Sequence, residues 1–116
     1  EFNPDTVISC WECDTHQDHK TLTDIVYIAT RKNNYSLYQY ETMLPGGIGS
    51  KGFNPQFFVD VSKYTEKKKE ALKVYKSVFK RNSTHLDAIM GRSRYRGEQI
   101  GVRYAEAFEV VKHIYK

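Results

Sequence analysis

Residues 10–19 read Cys10-Trp11-Glu12-Cys13-Asp14-Thr15-His16-Gln17-Asp18-His19 and separate two segments of different periodicity. Before them, residues 6–9 are β-branched and apolar enough to form a buried strand. After them, a helix is predicted to run from His16 to about Arg31 with one apolar face. The side chains on that face are Leu22, Ile25, Val26 and Ala29. The histidines and acids therefore lie where a strand ends and a helix begins, which is where ligands and catalytic groups collect in open α/β folds.

The two histidines of this segment are predicted to share the first turn of the helix. His16 and His19 are three residues apart, a spacing that places them on one helix face. Thr15 is the predicted N-cap, and Asp18 lies where a capping box places its acid. The positive field at a helix N-terminus favours neutral imidazole, which is the form that binds a metal. The residues alone also fit an alternative in which one histidine is a surface residue and the other packs on the sheet.

The motif Trp11-x-x-Asp14-x-His16-x-Asp18-His19 resembles the second motif of the zinc-dependent N-deacetylases related to LmbE and PIG-L. These enzymes remove acetyl groups from N-acetylglucosamine-type sugars. The usual form in the family is His-Pro-Asp-His, and here Gln17 replaces the proline, which at an early helix position only presets the backbone. Residues 94–108 are similar to the family's closing segment, and residues 60–72 fit the pattern between the two motifs.

This resemblance implies an α/β fold: part of a three-layer, Rossmann-like sheet with flanking helices. It implies a zinc-dependent hydrolase that removes an acetyl group from an N-acetylated sugar or sugar conjugate. By their match to the family motif, His19 is expected to bind the zinc ion, and His16 to stabilise the oxyanion or serve as the acid. Asp18 is expected to orient His16.

The family's first motif, Ala-His-Pro-Asp-Asp-Glu, is absent from this sequence. Residues 1–116 are therefore expected to be the C-terminal half of a single deacetylase domain, inactive by itself. The truncated sheet is expected to be covered by the N-terminal half of the same domain or by another copy of the chain. The alternative is a non-catalytic module in which the same fold serves binding or assembly.

Composition indicates a globular chain with a basic surface. The formal net charge is +4, with much of the excess in residues 67–76 and in Arg92, Arg94 and Arg96. A solvated helix face accounts for the first cluster better than a nucleic-acid site does, because no aromatic stacking platform accompanies it. Arg94, Arg96 and Glu106 fit either a buried ion network or a solvated face. No apolar run is long enough to span a membrane, and a cytoplasmic protein is expected.

The two cysteines offer a competing metal site. Cys10, Cys13, His16 and His19 are spaced three residues apart throughout, like a compact zinc knot. Structural zinc sites normally place a long spacer between two ligand pairs, and convergence here would break the start of the helix. A thioredoxin-type redox pair is disfavoured too, because its first cysteine lies at a helix N-terminus. Cys10 is expected to be a small buried residue and Cys13 an ordinary loop residue.

Further elements are predicted along the rest of the chain. Strands are expected over residues 36–43 and 56–61, with a glycine-rich loop over residues 44–52 that lacks the Walker spacing. Ser62 or Thr65 is expected to cap the next helix. A last helix is predicted from about Thr84 to about Arg103 despite two glycines, followed by a closing strand over residues 108–114.

Overall fold

The computed structural model describes residues 4–32, 34–42, 51–76 and 85–115, which form an α/β fold. Its elements in chain order are β1 (Thr6–Cys10), α1 (Gln17–Thr30), β2 (Ser36–Tyr40), β3 (Phe57–Asp60), a 3₁₀ turn (Ser62–Tyr64), α2 (Thr65–Lys73), α3 (His85–Gln99) and β4 (Ala105–Lys112). The strands form a mixed four-stranded sheet in the order β1-β2-β4-β3. The predicted α/β class is confirmed. No helix within these ranges is long and apolar enough to cross a membrane.

The sheet combines parallel and antiparallel pairs. β1 and β2 are parallel, with Thr6 opposite Ser36 and Cys10 opposite Tyr40. β2 and β4 are antiparallel, with Tyr40 opposite Phe108. Every residue of β2 except Tyr40 is buried, as expected for a strand with neighbours on both sides. β1, in contrast, is an edge strand of the sheet that the described residues form.

The chain divides into two compact units, Glu1–Phe57 with Ala107–Lys116, and Phe58–Glu106. The first unit contains β1, α1 and β2, and therefore the whole of the 10–19 segment. Its buried apolar side chains come from the end of β1, from β2 with the residue before it, and from β4. They are Cys10, Trp11, Tyr35, Leu37, Tyr38, Ala107 and Phe108.

The buried face of α1 differs from the predicted one. The helix buries Thr23 and Thr30, whereas Leu22 and Ile25 are 46% and 57% exposed. A threonine can be buried here because its hydroxyl has partners: Thr23 Oγ1 lies 3.2 Å from the Cys10 carbonyl oxygen and 2.9 Å from the His19 carbonyl oxygen. The apolar residues therefore do not mark the side of α1 that packs on the sheet.

The second unit contains α2 and α3, and α3 ends earlier than predicted. It ends at Gln99, because Gly101 adopts a left-handed φ of 74° and the Val102 N–H donates to the Gly97 carbonyl at 2.9 Å. This is a Schellman-type end, in which glycine occupies the left-handed position. Gly97 is needed for space: a Cβ there would lie 2.6 Å from the Val102 carbonyl oxygen. The early end allows β4 to begin at Ala105.

Side chains link the elements of the second unit. Ser62 Oγ donates to the Tyr104 carbonyl, and Ser93 Oγ donates to the Ala105 carbonyl. Glu106 pairs with Lys68, whereas Arg94 is exposed and pairs with Glu98. Neither residue predicted to cap α2 does so with its side chain. Residues 44–50 of the predicted glycine-rich loop, the predicted end of the strand at residue 43, and the predicted start of the last helix at Thr84 lie outside the described residues.

Candidate functional site

Asp14 lies at the centre of the segment between β1 and α1. Its side chain is fully buried, and the turn before it is closed by its own N–H, which contacts the Trp11 carbonyl. Trp11 is buried and packs edge-to-face on Phe53, with 5.8 Å between ring centroids. This apolar support holds the turn, so that the Asp14 carboxylate points to the start of α1.

The Asp14 carboxylate binds both histidines, one through a backbone group and one through a side chain. Oδ1 accepts from the His16 N–H at 2.8 Å, and Oδ2 lies 2.7 Å from Nδ1 of His19. Burial by itself raises the pKa of Asp14, but hydrogen bonds from Thr42, from the His16 N–H and from His19 outweigh burial and lower that pKa. The carboxylate is therefore ionised at neutral pH.

The ionised carboxylate determines which nitrogen of His19 carries the proton. A carboxylate without a proton can only accept hydrogen bonds, so Nδ1 of His19 is the donor. In the neutral ring the lone pair is then on Nε2. This is the usual state of a metal-binding histidine, in which a carboxylate fixes the ring and raises the basicity of the other nitrogen. The His19 side chain is 27% exposed, so it is accessible from outside.

His16 has the opposite tautomer. It is the N-cap of α1, and its Nδ1 accepts a hydrogen bond from the Asp18 N–H at 3.2 Å. Because Nδ1 is an acceptor, the proton of the neutral ring is on Nε2. The ring centroids of His16 and His19 are 4.6 Å apart, with 30° between the planes. Two adjacent imidazoles therefore present different groups: an N–H donor on His16 and a lone pair on His19.

The structure corrects one detail of the predicted helix start. The N-cap is His16 and not Thr15, because an imidazole nitrogen accepts the hydrogen bond that a threonine hydroxyl was expected to accept. Asp18 is exposed, and it contacts His16 through its backbone N–H. Asp14, whose role the sequence left unassigned, contacts both histidines instead. The spacing of Asp14 and His19 is not a helical one, so periodicity could not have predicted their contact.

The two cysteines of this segment are both free thiols. Cys10 is a buried free thiol whose Sγ contacts the His19 carbonyl oxygen at 3.3 Å and lies 3.5 Å from Thr23 Oγ1. Cys13 is a partly exposed free thiol. Within residues 4–32, 34–42, 51–76 and 85–115, no three His, Cys, Asp or Glu side chains are grouped so that they could hold a metal ion. A metal ion at His19 would need its other ligands from outside these residues.

A polar cluster that the sequence did not predict lies at the β1 end of the segment between β1 and α1. Tyr27 Oη donates to Glu12 Oε2 at 2.6 Å and accepts from Gln39 Nε2 at 3.0 Å, and the Glu12 N–H contacts Gln39 Oε1. Burial and the neighbouring Glu12 raise the pKa of the Tyr27 phenol. An open cavity of about 440 Å³ adjoins this cluster. It is lined by Glu12, Cys13, Thr15, Lys20, Thr23, Asp24 and Tyr27.

Solved structures that share this fold include the following two proteins. A conserved protein from Thermus thermophilus is 26% identical, with a TM-score of 0.74 over 97% of this chain and 54% of its own. N,N'-diacetylchitobiose deacetylase from Pyrococcus horikoshii, complexed with an inhibitor, is 18% identical, with a TM-score of 0.67 over 94% of this chain and 46% of its own. No protein-family model matches the sequence. The chain shares its fold with these two proteins and spans about half the length of each.

Proposed function

We propose that the chain carries part of the active site of a zinc-dependent hydrolase that removes the acetyl group from an N-acetylated sugar or sugar conjugate. The observation that carries this proposal is the pair of adjacent imidazoles with opposite tautomers, both held by Asp14. Amide hydrolysis at a metal needs both groups: a lone pair that binds the metal, and a donor for the charge that develops on the carbonyl oxygen.

His19 fits the role of zinc ligand. Its Nδ1 is occupied by a buried carboxylate, which leaves Nε2 as the atom that would bind the ion. A bound zinc ion lowers the pKa of water enough to make a nucleophile near neutral pH. Because a hydrolytic zinc site has three protein ligands, the others would be supplied by the remainder of the complete protein.

His16 fits the role of oxyanion donor. Its Nε2 carries the proton in the neutral ring, because its Nδ1 accepts the hydrogen bond from the Asp18 N–H. Asp18 is proposed to position His16, and the contact that supports this is the hydrogen bond from the Asp18 N–H to Nδ1. The fold that the chain shares with a deacetylase and the family motif of residues 11–19 both support an amide substrate on a sugar.

Two histidine variants of the complete protein test these roles. His19→Ala should lose zinc and activity together, because a ligand is removed. His16→Ala should keep most of its zinc and lose about two orders of magnitude in rate, the usual effect of removing an oxyanion donor. Zinc content by elemental analysis and turnover of an N-acetylglucosamine substrate measure both effects.

His113→Ala is the matched control, because this histidine lies beyond β4 and contacts Tyr38 instead of the site. It should keep both zinc and activity. Equal loss of zinc in His16→Ala and His19→Ala would contradict the division of roles. A complete protein that binds no zinc would favour the non-catalytic module.

A further inference from the structure

The side of α1 that faces away from the sheet carries exposed apolar side chains. Thr23 marks the inner side of the helix, because its hydroxyl lies 3.2 Å from the Cys10 carbonyl oxygen of β1. Ile25 follows Thr23 by two positions, which is about 200° around a helix, so Ile25 points away from β1. Ile25 and Ile28 are 57% and 74% exposed. Neighbouring apolar side chains on the outer side of a helix indicate an interaction site.

The positions around Ile25 form a surface that extends in both directions along the helix. At about 100° per residue, several side chains lie within about 60° of Ile25. They are Asp18, Thr21, Leu22, Ile28, Ala29 and Lys32, and each of them is exposed. Lys32 belongs to this set because Arg31 keeps helical φ and ψ, so the path of the helix continues to it. We call these residues, together with Ile25, the outer face of α1.

The charges of the outer face lie at its two ends. Its acidic residue, Asp18, is seven residues before Ile25, and its basic residue, Lys32, is seven residues after it. A seven-residue spacing returns to the same side of a helix, so the three residues lie along one line. In an antiparallel pair of such helices centred on Ile25, Asp18 of each copy meets Lys32 of the other copy. A parallel pair would place like charges together, which is unfavourable.

We propose that the outer face of α1 binds a second copy of this chain, with the two helices antiparallel and a twofold axis beside Ile25. A twofold contact uses the same patch on both copies, so the patch must be complementary to itself. The outer face meets this requirement, because its apolar residues lie in the middle and its opposite charges lie equally far on either side. An unrelated partner would need no such symmetry. The proposal stands on exposure and charge, so it can fail while the proposed chemistry holds.

The size of the contact predicts a weak, reversible dimer. From Asp18 to Lys32 the helix is about 21 Å long, at 1.5 Å per residue. Its outer face is therefore smaller than the about 800 Å² that each partner buries in a standard interface. The dimer should form at high protein concentration and dissociate on dilution. Lys32 of the second copy would lie beside Asp18, whose N–H binds His16, so the contact adjoins the candidate site.

Sedimentation equilibrium of the 116-residue chain tests the proposal without any measurement of activity. Ile25→Asp should weaken self-association at least tenfold, because it places two carboxylates beside the twofold axis. Val74→Asp is the matched control: Val74 is 75% exposed at the end of α2, so an exposed apolar residue is replaced on another surface. This control should leave self-association unchanged. Circular dichroism shows whether both variants are folded.

An exchange of charges tests the antiparallel arrangement. Lys32→Glu should weaken self-association about tenfold, because it turns two attractive charge pairs into repulsive ones. Asp18→Lys combined with Lys32→Glu restores opposite charges at both ends and should recover most of the association. Lys20→Glu is the matched control: it makes the same change on the same helix, about 140° from Ile25, and should leave association unchanged.

Each outcome either supports the proposal or overturns it. A dimer that Ile25→Asp weakens, and that the double charge exchange recovers after Lys32→Glu, supports it. A chain that stays monomeric at millimolar concentration overturns it, as does a dimer that Ile25→Asp leaves intact, since the copies then meet at another surface. Failure of the double variant to recover association shows that the helices are not antiparallel and also overturns it. If Ile25→Cys resists a maleimide in a monomeric complete protein, another part of that protein covers the outer face and the proposal is wrong.

Discussion

Replacement of Asp14 by asparagine should affect both the stability of the chain and the zinc affinity of the complete protein. The substitution keeps the volume of a fully buried side chain and removes its charge. The carboxylate accepts from the His16 N–H at 2.8 Å and from His19 Nδ1 at 2.7 Å. An amide has one oxygen, so it can keep only one of these contacts and turns its NH₂ group toward the other donor.

The expected magnitudes follow from these two contacts. A hydrogen bond to a charged group contributes about 1.5–3 kcal/mol, so Asp14→Asn should lower the free energy of unfolding by about that amount. Loss of the carboxylate that fixes a metal-binding histidine typically weakens metal binding by about 10–100-fold. Denaturant unfolding of the chain measures the first effect, and zinc titration of the complete protein measures the second.

Asp18→Asn is the control, because it makes the same chemical change four residues further along the same segment. The Asp18 side chain is exposed and its contact with His16 is made through the backbone, so stability and zinc affinity should both remain within the range of ordinary surface changes. The reasoning is refuted if Asp14→Asn leaves zinc affinity unchanged, or if Asp18→Asn weakens it as much.

Two further predictions concern cysteines and glycines. Cys10→Ser and Cys13→Ser should leave the zinc stoichiometry of the complete protein unchanged, and release of zinc in either variant would favour the cysteine–histidine site. Gly97→Ala should destabilise the chain by about 1–3 kcal/mol, because the added Cβ would meet the Val102 carbonyl at 2.6 Å. Gly91→Ala, in the same helix with nothing within 4 Å of the added atom, should stabilise it by up to about 1 kcal/mol. Thermal unfolding measures the change in stability that each glycine variant causes. Equal stability of the two variants would contradict the close approach at Gly97.

The sequence predicted the elements around the site well, because their signals are local. β1 (Thr6–Cys10) and α1 (Gln17–Thr30) each lie within about one residue of the predicted bounds. A β-branched run and a helical periodicity over fourteen residues are strong signals that need no tertiary partner. The end of α3 was missed because helix propensity does not reveal whether a glycine is inside a helix or just beyond it.

The face of α1 and the role of Asp14 could not be read from local signals. Apolar periodicity locates a stripe but does not say which partner covers it, and here Thr23 packs on β1 while Ile25 is exposed. Asp14 meets His19 because a turn brings the carboxylate back to the start of α1. Such a contact depends on backbone geometry in a loop, where side-chain spacing carries little information.

Calorimetric zinc titration of the 116-residue chain tests the central claim most directly. Asp14 orients the His19 ring so that its lone pair is on Nε2, and no three His, Cys, Asp or Glu side chains among the described residues are grouped to hold a metal ion. One neutral imidazole with His16 beside it does not hold zinc as three protein ligands do. The account therefore predicts weak zinc binding or none by the chain alone. Tight, stoichiometric zinc binding by a monomer would contradict it, because the chain would then carry a complete site of its own.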